Sequence, residues 1–185
     1  ALMSAVEILA KNAKMQVAAG ILKANAMAMQ GELSKAVTAA KEALSSAKAS
    51  KDAASEVAAL SSLAILQVDL DSKAEAVQAA DEALELAKGL GKPSQIAAMC
   101  LASFVQDDSA QASQAVKLAG DDQVLQVMAL SGLAQVQLKA QPSEASVTSQ
   151  KLLSTCTAMK DTVGQVAAGS MVAICHSVLG QAAAA

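Results

Sequence analysis

Apolar residues along this chain recur every three or four positions and almost never at every second one. Leu60, Leu63 and Ala64 have the spacing of one helix face, and so do Leu130, Leu133 and Ala134. Nowhere do branched or aromatic residues alternate with polar ones over several positions, so no segment reads as a strand. The pattern predicts helices over about 3–14, 16–30, 33–49, 53–70, 73–89, 94–106, 108–119, 122–139, 143–158 and 162–180. That is roughly 80 per cent helix, against a base rate of about one third. The punctuation agrees. Gly89-Leu90-Gly91-Lys92-Pro93 stops one helix and starts another, because Gly suits the left-handed end of a helix and Pro its first turn. Gly120-Asp121-Asp122 does the same. Ser72 to Glu75 and Thr162 to Gln165 have the spacing of capping boxes, in which two side chains satisfy free amides at a helix start.

The helices repeat. Residues 36–48 read AVTAAKEALSSAK and residues 76–88 read AVQAADEALELAK, with nine of thirteen positions identical at a spacing of 40. The segments leading into them, QVAAGILKANAMAMQGELSK and EVAALSSLAILQVDLDSKAE, also correspond. A second set of matches covers the other helix of each unit: AALSSLAIL at 58–66, AAMCLASFV at 97–105 with one residue deleted, MALSGLAQV at 128–136 and AAGSMVAIC at 167–175. Ala64, Ala102, Ala134 and Ala173 then share one position, at spacings of 38, 32 and 39. The expected organisation is a single helical-repeat domain over 1–185, with units about 16–52, 53–92, 93–120, 121–160 and an incomplete 161–185.

These residues resemble the tetratricopeptide repeat over about residues 16–180. In that family the first helix carries large residues bracketing a small one, as Leu60, Leu63 and Ala64 do. A turn residue follows, often Gly; Gly31 fits, while Asp71 and Gln141 replace it. The second helix carries small residues seven apart, as Ala36 and Ala43, and Ala76 and Ala83, do. The family's aromatic positions hold Gly20, Met27, Gln67, Ala80, Gln137 and His176 instead, and a spacing near 40 is similar to the family's longer variants. The resemblance implies an all-α, right-handed α-solenoid of antiparallel helix pairs, with about nine to ten helices. It also implies a non-catalytic scaffold that binds a protein segment. The inner positions of the first helices would be Ile21, Asn25, Ser61, Ile65, Met99, Ser103, Ser131, Gln135, Ser170 and Ile174. Members that grip a chaperone's C-terminal carboxylate do so with Lys, Arg and Asn there; only Asn25 fits, so a neutral, mildly apolar groove for a helix or an extended apolar segment is expected.

Composition sharpens this. Alanine, the best helix former, occurs 45 times, and there is no Trp, no Tyr, no Arg and one Phe. A net charge of −3 without Arg excludes a nucleic-acid partner on electrostatic grounds. Each hairpin buries one face on its neighbours, and alanine at the crossings lets backbones approach. The core is expected to be modest, since a buried Leu is worth about 1.5–3 kcal/mol and an Ala far less. Cys100, Cys156 and Cys175 are odd in number and widely spaced, which suits buried thiols rather than a disulfide framework. ALMSAVEILAKNAK keeps its lysines inside the pattern, so it does not read as a secretory signal.

No catalytic, metal or cofactor constellation emerges. His176 beside Cys175 would point about 100° away from it on a helix, and no second ligand cluster exists. The serines lack a neighbouring His to activate them, and GLGKPS at 89–94 lacks the spacing of a phosphate loop. Met15, Met27 and Met29 read as core filling ahead of an adaptable contact surface. From Thr162 onward there is no charged residue. Gln165, Ser170, His176, Ser177 and Gln181 make that segment a poor membrane span, so it is expected to be covered by protein on most sides. Val178 on its outward side is a candidate contact. Two functions follow: a scaffold holding a protein segment, with no enzyme activity and no cofactor, or a structural subunit of a large complex. The charge-poor second half favours the subunit. The alanine-rich repeat resembles that of some algal proteins, which would place such a subunit against a membrane-embedded organellar complex, for example a photosynthetic one.

Overall fold

The computed structural model describes residues 13–180. Helix makes up 86% of it, and no strand occurs among the described residues. Among the described residues nine helices follow one another: α1 (Ala13–Met29), α2 (Leu33–Ser50), α3 (Ala53–Asp69), α4 (Lys73–Ala87), α5 (Lys92–Gln106), α6 (Ala110–Ala119), α7 (Gln123–Ala140), α8 (Pro142–Ala158) and α9 (Thr162–Val178). The expected helix 3–14 lies outside the described residues except at its end. There the expected break before residue 16 is absent, because α1 runs through Lys14 and Met15 with nothing to stop it.

Contacts divide the chain into two compact units, Ala1–Ser94 and Gln95–Ala185, meeting in the first turn of α5. In the first, α1 packs on α2, α2 on α3 and α3 on α4, and α1 also touches α3. In the second, α6 packs on α7, α7 on α8 and α8 on α9, and α7 also touches α9. Ile96 of α5 sits with Ala115 and Ala119 of α6 and Leu125 and Ala129 of α7. Each unit is a run of antiparallel helix pairs, every helix lying on the next, which is the packing order of an α-solenoid.

Small residues make this order possible. The second helices bury Ala36, Ala40, Ala43 and Ala47 in α2, and Ala76, Ala80, Ala83 and Ala87 in α4. A Cβ built on Gly20 of α1 would lie 2.9 Å from Ala43 Cβ, so the two backbones approach as closely as any side chain allows. The first helices contribute the larger groups, Leu60, Ile96 and Leu130, all fully buried.

The turns repeat as well. Gly31, Asp71, Asp107 and Lys160 all have positive φ, and the next residue's N–H reaches back five positions: Glu32 to the Met27 carbonyl, Ser72 to Gln67, Asp108 to Ser103 and Asp161 to Cys156, at 2.8–3.1 Å. Asp71 therefore does what Gly31 does, since a short polar side chain tolerates the left-handed region. Gln141 does not; its φ is −139° because Pro142 holds the preceding residue out of the helical region. The caps depart from expectation. Ser72 caps α4 without a side-chain hydrogen bond, and the cap of α9 is Asp161, which accepts the Gly164 N–H at 3.0 Å. Thr162 is already helical. An acceptor one residue earlier, carrying a full charge, wins the amides that the expected capping box would have held.

Candidate binding surface

In four of the first helices the shared alanine turns fully inward, Ala24, Ala64, Ala102 and Ala134 being 0% exposed, whereas Ala173 of α9 is half-buried. The residue after it lies about 100° round the helix. Asn25, Ile65, Gln135 and Ile174 are all exposed there, and none is charged. Ile65 and Ile174 are two large apolar side chains left in solvent, at 45% and 46% exposure. The fifth member of the row is a correction. Ser103 is completely buried, and its hydroxyl accepts the Ala112 N–H at 2.7 Å at the start of α6. A short α5–α6 link puts that free amide against the serine, so the side chain serves the turn and not the surface.

The other predicted positions divide. Asn25 Oδ1 accepts the Ser62 hydroxyl at 3.2 Å, tying α1 to α3. Ser61 and Ser131 are half-buried and donate to the carbonyls of Val57 and Val127 on their own helices. Ser170 is exposed and donates to the Val166 carbonyl. Ile21 packs on the cluster of Val17, Ala43, Ala47 and Ala59, and Met99 on the cluster around Ile96. Val178 is 57% exposed. The reading of the methionines as core filling is overturned for two of the three: Met15 is 43% and Met29 91% exposed, on a face of α1 that also shows Leu22, while Met27 is half-buried. Sequence spacing placed them correctly on a helix but did not say which face was covered.

The electrostatics are sparse. Lys48 of α2 and Glu82 of α4 pair at 2.7 Å, and this bond raises the lysine's pKa; Lys139 of α7 pairs with Asp107 at 3.1 Å and lies over the Phe104 ring. Both pairs are exposed and contribute little. Burial pushes the Cys100 thiol up to about 11 and raises that of Cys156. All three cysteines are free, and Cys156 and Cys175 are buried. His176 is half-buried and turned away from Cys175; no group of three His, Cys, Asp or Glu that would hold a metal occurs among the described residues. Two open clefts of about 350 and 340 Å³ lie beside α1–α2 (Lys23, Lys35, Thr38) and at Gly120–Gln126 against α8. No described helix is long and apolar enough to cross a membrane.

The last helix is covered on one side only. In α9, Ala168 and Cys175 are buried against α8, where the Ser149 hydroxyl lies 3.8 Å from Cys175 Sγ. Val163, Val166, Ile174 and Val178 are exposed. The expected cover on most sides is not supplied by the described residues. No family model matches the chain, and no curated protein matches it either.

Proposed function

We propose that this chain is a tetratricopeptide-like scaffold that binds a protein segment through its helical-repeat surface and performs no chemistry itself. One observation carries the reading. The position following the shared alanine is uncharged and exposed twice in each unit, at Asn25 and Ile65 in the first and at Gln135 and Ile174 in the second. Spaced apolar and amide side chains are what an extended or helical segment needs.

The test is site-directed crosslinking. A photoreactive residue at Ile65, Gln135 or Ile174 should capture one protein in common, and the same residue at Gln78 or Val147, exposed elsewhere, should not. Capture that is equal at all five sites, or absent from the first three, would overturn the reading. A second reading rests on α9, which has no Asp, Glu or Lys and exposes four valine or isoleucine side chains. It makes the chain a fixed subunit of a larger assembly. A scaffold stays monomeric and soluble alone, whereas a fixed subunit aggregates until its neighbours are added.

A further inference from the structure

One face of α1 is bare where its sister helices are covered. In α7 the places nine and five before the shared alanine and two after it hold Leu125, Ala129 and Val136, exposed by 8%, 0% and 7%. Leu125 and Ala129 lie against Ala115 and Ala119 of the preceding second helix, α6. In α3 the place five before is Ala59, fully buried, and it clusters with Ala43 and Ala47 of the preceding second helix, α2. In α1 these places hold Met15, Ala19 and Ala26, all exposed, and Leu22 between them is exposed as well. The repeat itself names what belongs there. Residues 11–20, KNAKMQVAAG, match residues 51–60, KDAASEVAAL, at five of ten positions and at the same spacing of 40. Residues 51–53 are the turn from α2 into α3: Lys51 has a φ of 54° and Asp52 is the N-cap. Asn12, a residue type that caps well, and Ala13 stand in place of Asp52 and Ala53. Before that turn, residues 1–5 read ALMSA where residues 43–47 of α2 read ALSSA, identical at four of five positions.

We propose that residues 1–10, which lie outside the described part of the structure, form a helix seated on this face of α1 as α2 is seated on α3. Their chemistry fits the seat. Ala1 and Ala5 correspond to Ala43 and Ala47, the small residues that α2 brings against Ala59. Leu2, Val6 and Leu9, spaced four and three, share the side of Ala1 and Ala5, while Ser4, Glu7 and Lys11, spaced three and four, fall on the other. Six residues separate Ala5 from Lys11 where four separate Ala47 from Lys51, so the turn is longer by two. The occupant is the chain itself because it is tethered. The segment arrives at Asn12, three residues before Met15, and a short link gives it an effective concentration in the millimolar range, on the order of what short flexible linkers supply. Ten residues of helix rise about 15 Å. Laid back from Ala13, that length reaches the neighbourhood of Leu22 and leaves Met29 bare. The inference is independent of the scaffold reading, and it removes Met15 and Leu22 from the surface open to a partner.

The test is NMR on the methyl-labelled 185-residue protein. Nuclear Overhauser contacts from the Ala5 and Val6 methyls to Met15, Ala19 and Leu22 are expected, with none to Met29. Amide exchange at residues 6–9 should be slowed at least tenfold relative to an unstructured chain. Ala5→Glu puts a charge at the seat and should erase these contacts, while Ser4→Glu, on the polar side of the segment, should keep them. Contacts absent from the parent, or surviving Ala5→Glu, overturn the proposal. So do contacts seen only between differently labelled molecules in a mixed sample, which would name a second copy as the occupant. Crosslinking at Ile65 and Gln135 is untouched by any of these results, so the two readings fail separately.

Discussion

Replacing Ala79 by threonine should stabilise this protein, because it supplies a hydrogen bond that one hairpin lacks and its sister has. Gln67 of α3 and Gln137 of α7 hold the same place and are 6% and 7% exposed. Gln137 is satisfied: its Oε1 accepts from Thr148, and its Nε2 donates to Glu144 at 3.2 Å. Gln67 Oε1 has no partner among the described residues. Thr148 stands seven residues after the cap Gln141, and the residue seven after the cap Ser72 is Ala79, itself buried. A buried acceptor without a donor costs about 1–3 kcal/mol. Threonine in place of alanine gives back about 0.5 kcal/mol of helix propensity. The net gain is about 0.5–2.5 kcal/mol, or roughly 1–10 °C in Tm for a chain of this size. Ala79→Val is the control, with the same shape and branching but no hydroxyl. Thermal and urea unfolding of both variants, alone and combined with Gln67→Met, closes a double-mutant cycle. Equal stability of the threonine and valine variants, or no coupling to Gln67→Met, would refute the assignment. Thr148→Val should lose about 1–3 kcal/mol by the reverse argument.

Three further outcomes are expected. Gly132→Ala places a Cβ 2.6 Å from Cys100 Cβ at the α5–α7 crossing and against its sulfur, so it should lose about 1–3 kcal/mol in chemical denaturation despite alanine's better helix propensity. Asp161→Ala should cost about 0.5–2 kcal/mol through loss of the α9 cap, while Thr162→Ala should be near neutral; the opposite order would restore the capping box expected from sequence. Cys100 holds its proton to about pH 11 where a free thiol releases it at 9.0. The folded chain keeps a proton that the unfolded chain sheds, so this contribution to stability is complete below pH 9 and fades as pH rises toward 11. Ellman's reagent at pH 8 should accordingly find Cys100 slow to react until the chain unfolds.

The helices were legible because alanine, leucine and the three-to-four spacing all act within one turn of chain, and nearly every boundary fell within two residues of expectation. The repeat was legible because close packing reuses one solution, small against small at the crossings, as Ala43 against Gly20 shows. What sequence missed depended on a partner distant in sequence or on competition among neighbours. Asp161 and Thr162 are both good caps, and only geometry decides which reaches the Gly164 amide. Ser103 looked like its row-mates until the α5–α6 link brought Ala112 against it. The exposure of Met15 and Met29 depends on what lies over α1, which periodicity does not encode.

These exposed positions were legible in register but not in content, and the two have different causes. Register follows in part from the buried alanines: beside inward Ala64 and Ala134, Ile65 and Gln135 are exposed, whereas Ser103 beside Ala102 is buried by its bond to the α6 turn. A solenoid's stability hardly depends on its exposed row, since each hairpin is held by its neighbours. The row is therefore free to carry asparagine at one place and isoleucine at the next, with no periodic signature. The same separation explains α9. Its two buried residues, Ala168 and Cys175, fix it to α8 by the rule that fixes every earlier first helix, while Gly169, Val172, Ala173 and His176 retain second-helix-facing positions with no second helix described against them. An exposed glycine costs a helix about 1 kcal/mol relative to alanine. Gly20 offsets that cost through the approach of α2, whereas a Cβ on Gly169 would meet no described atom within 4 Å.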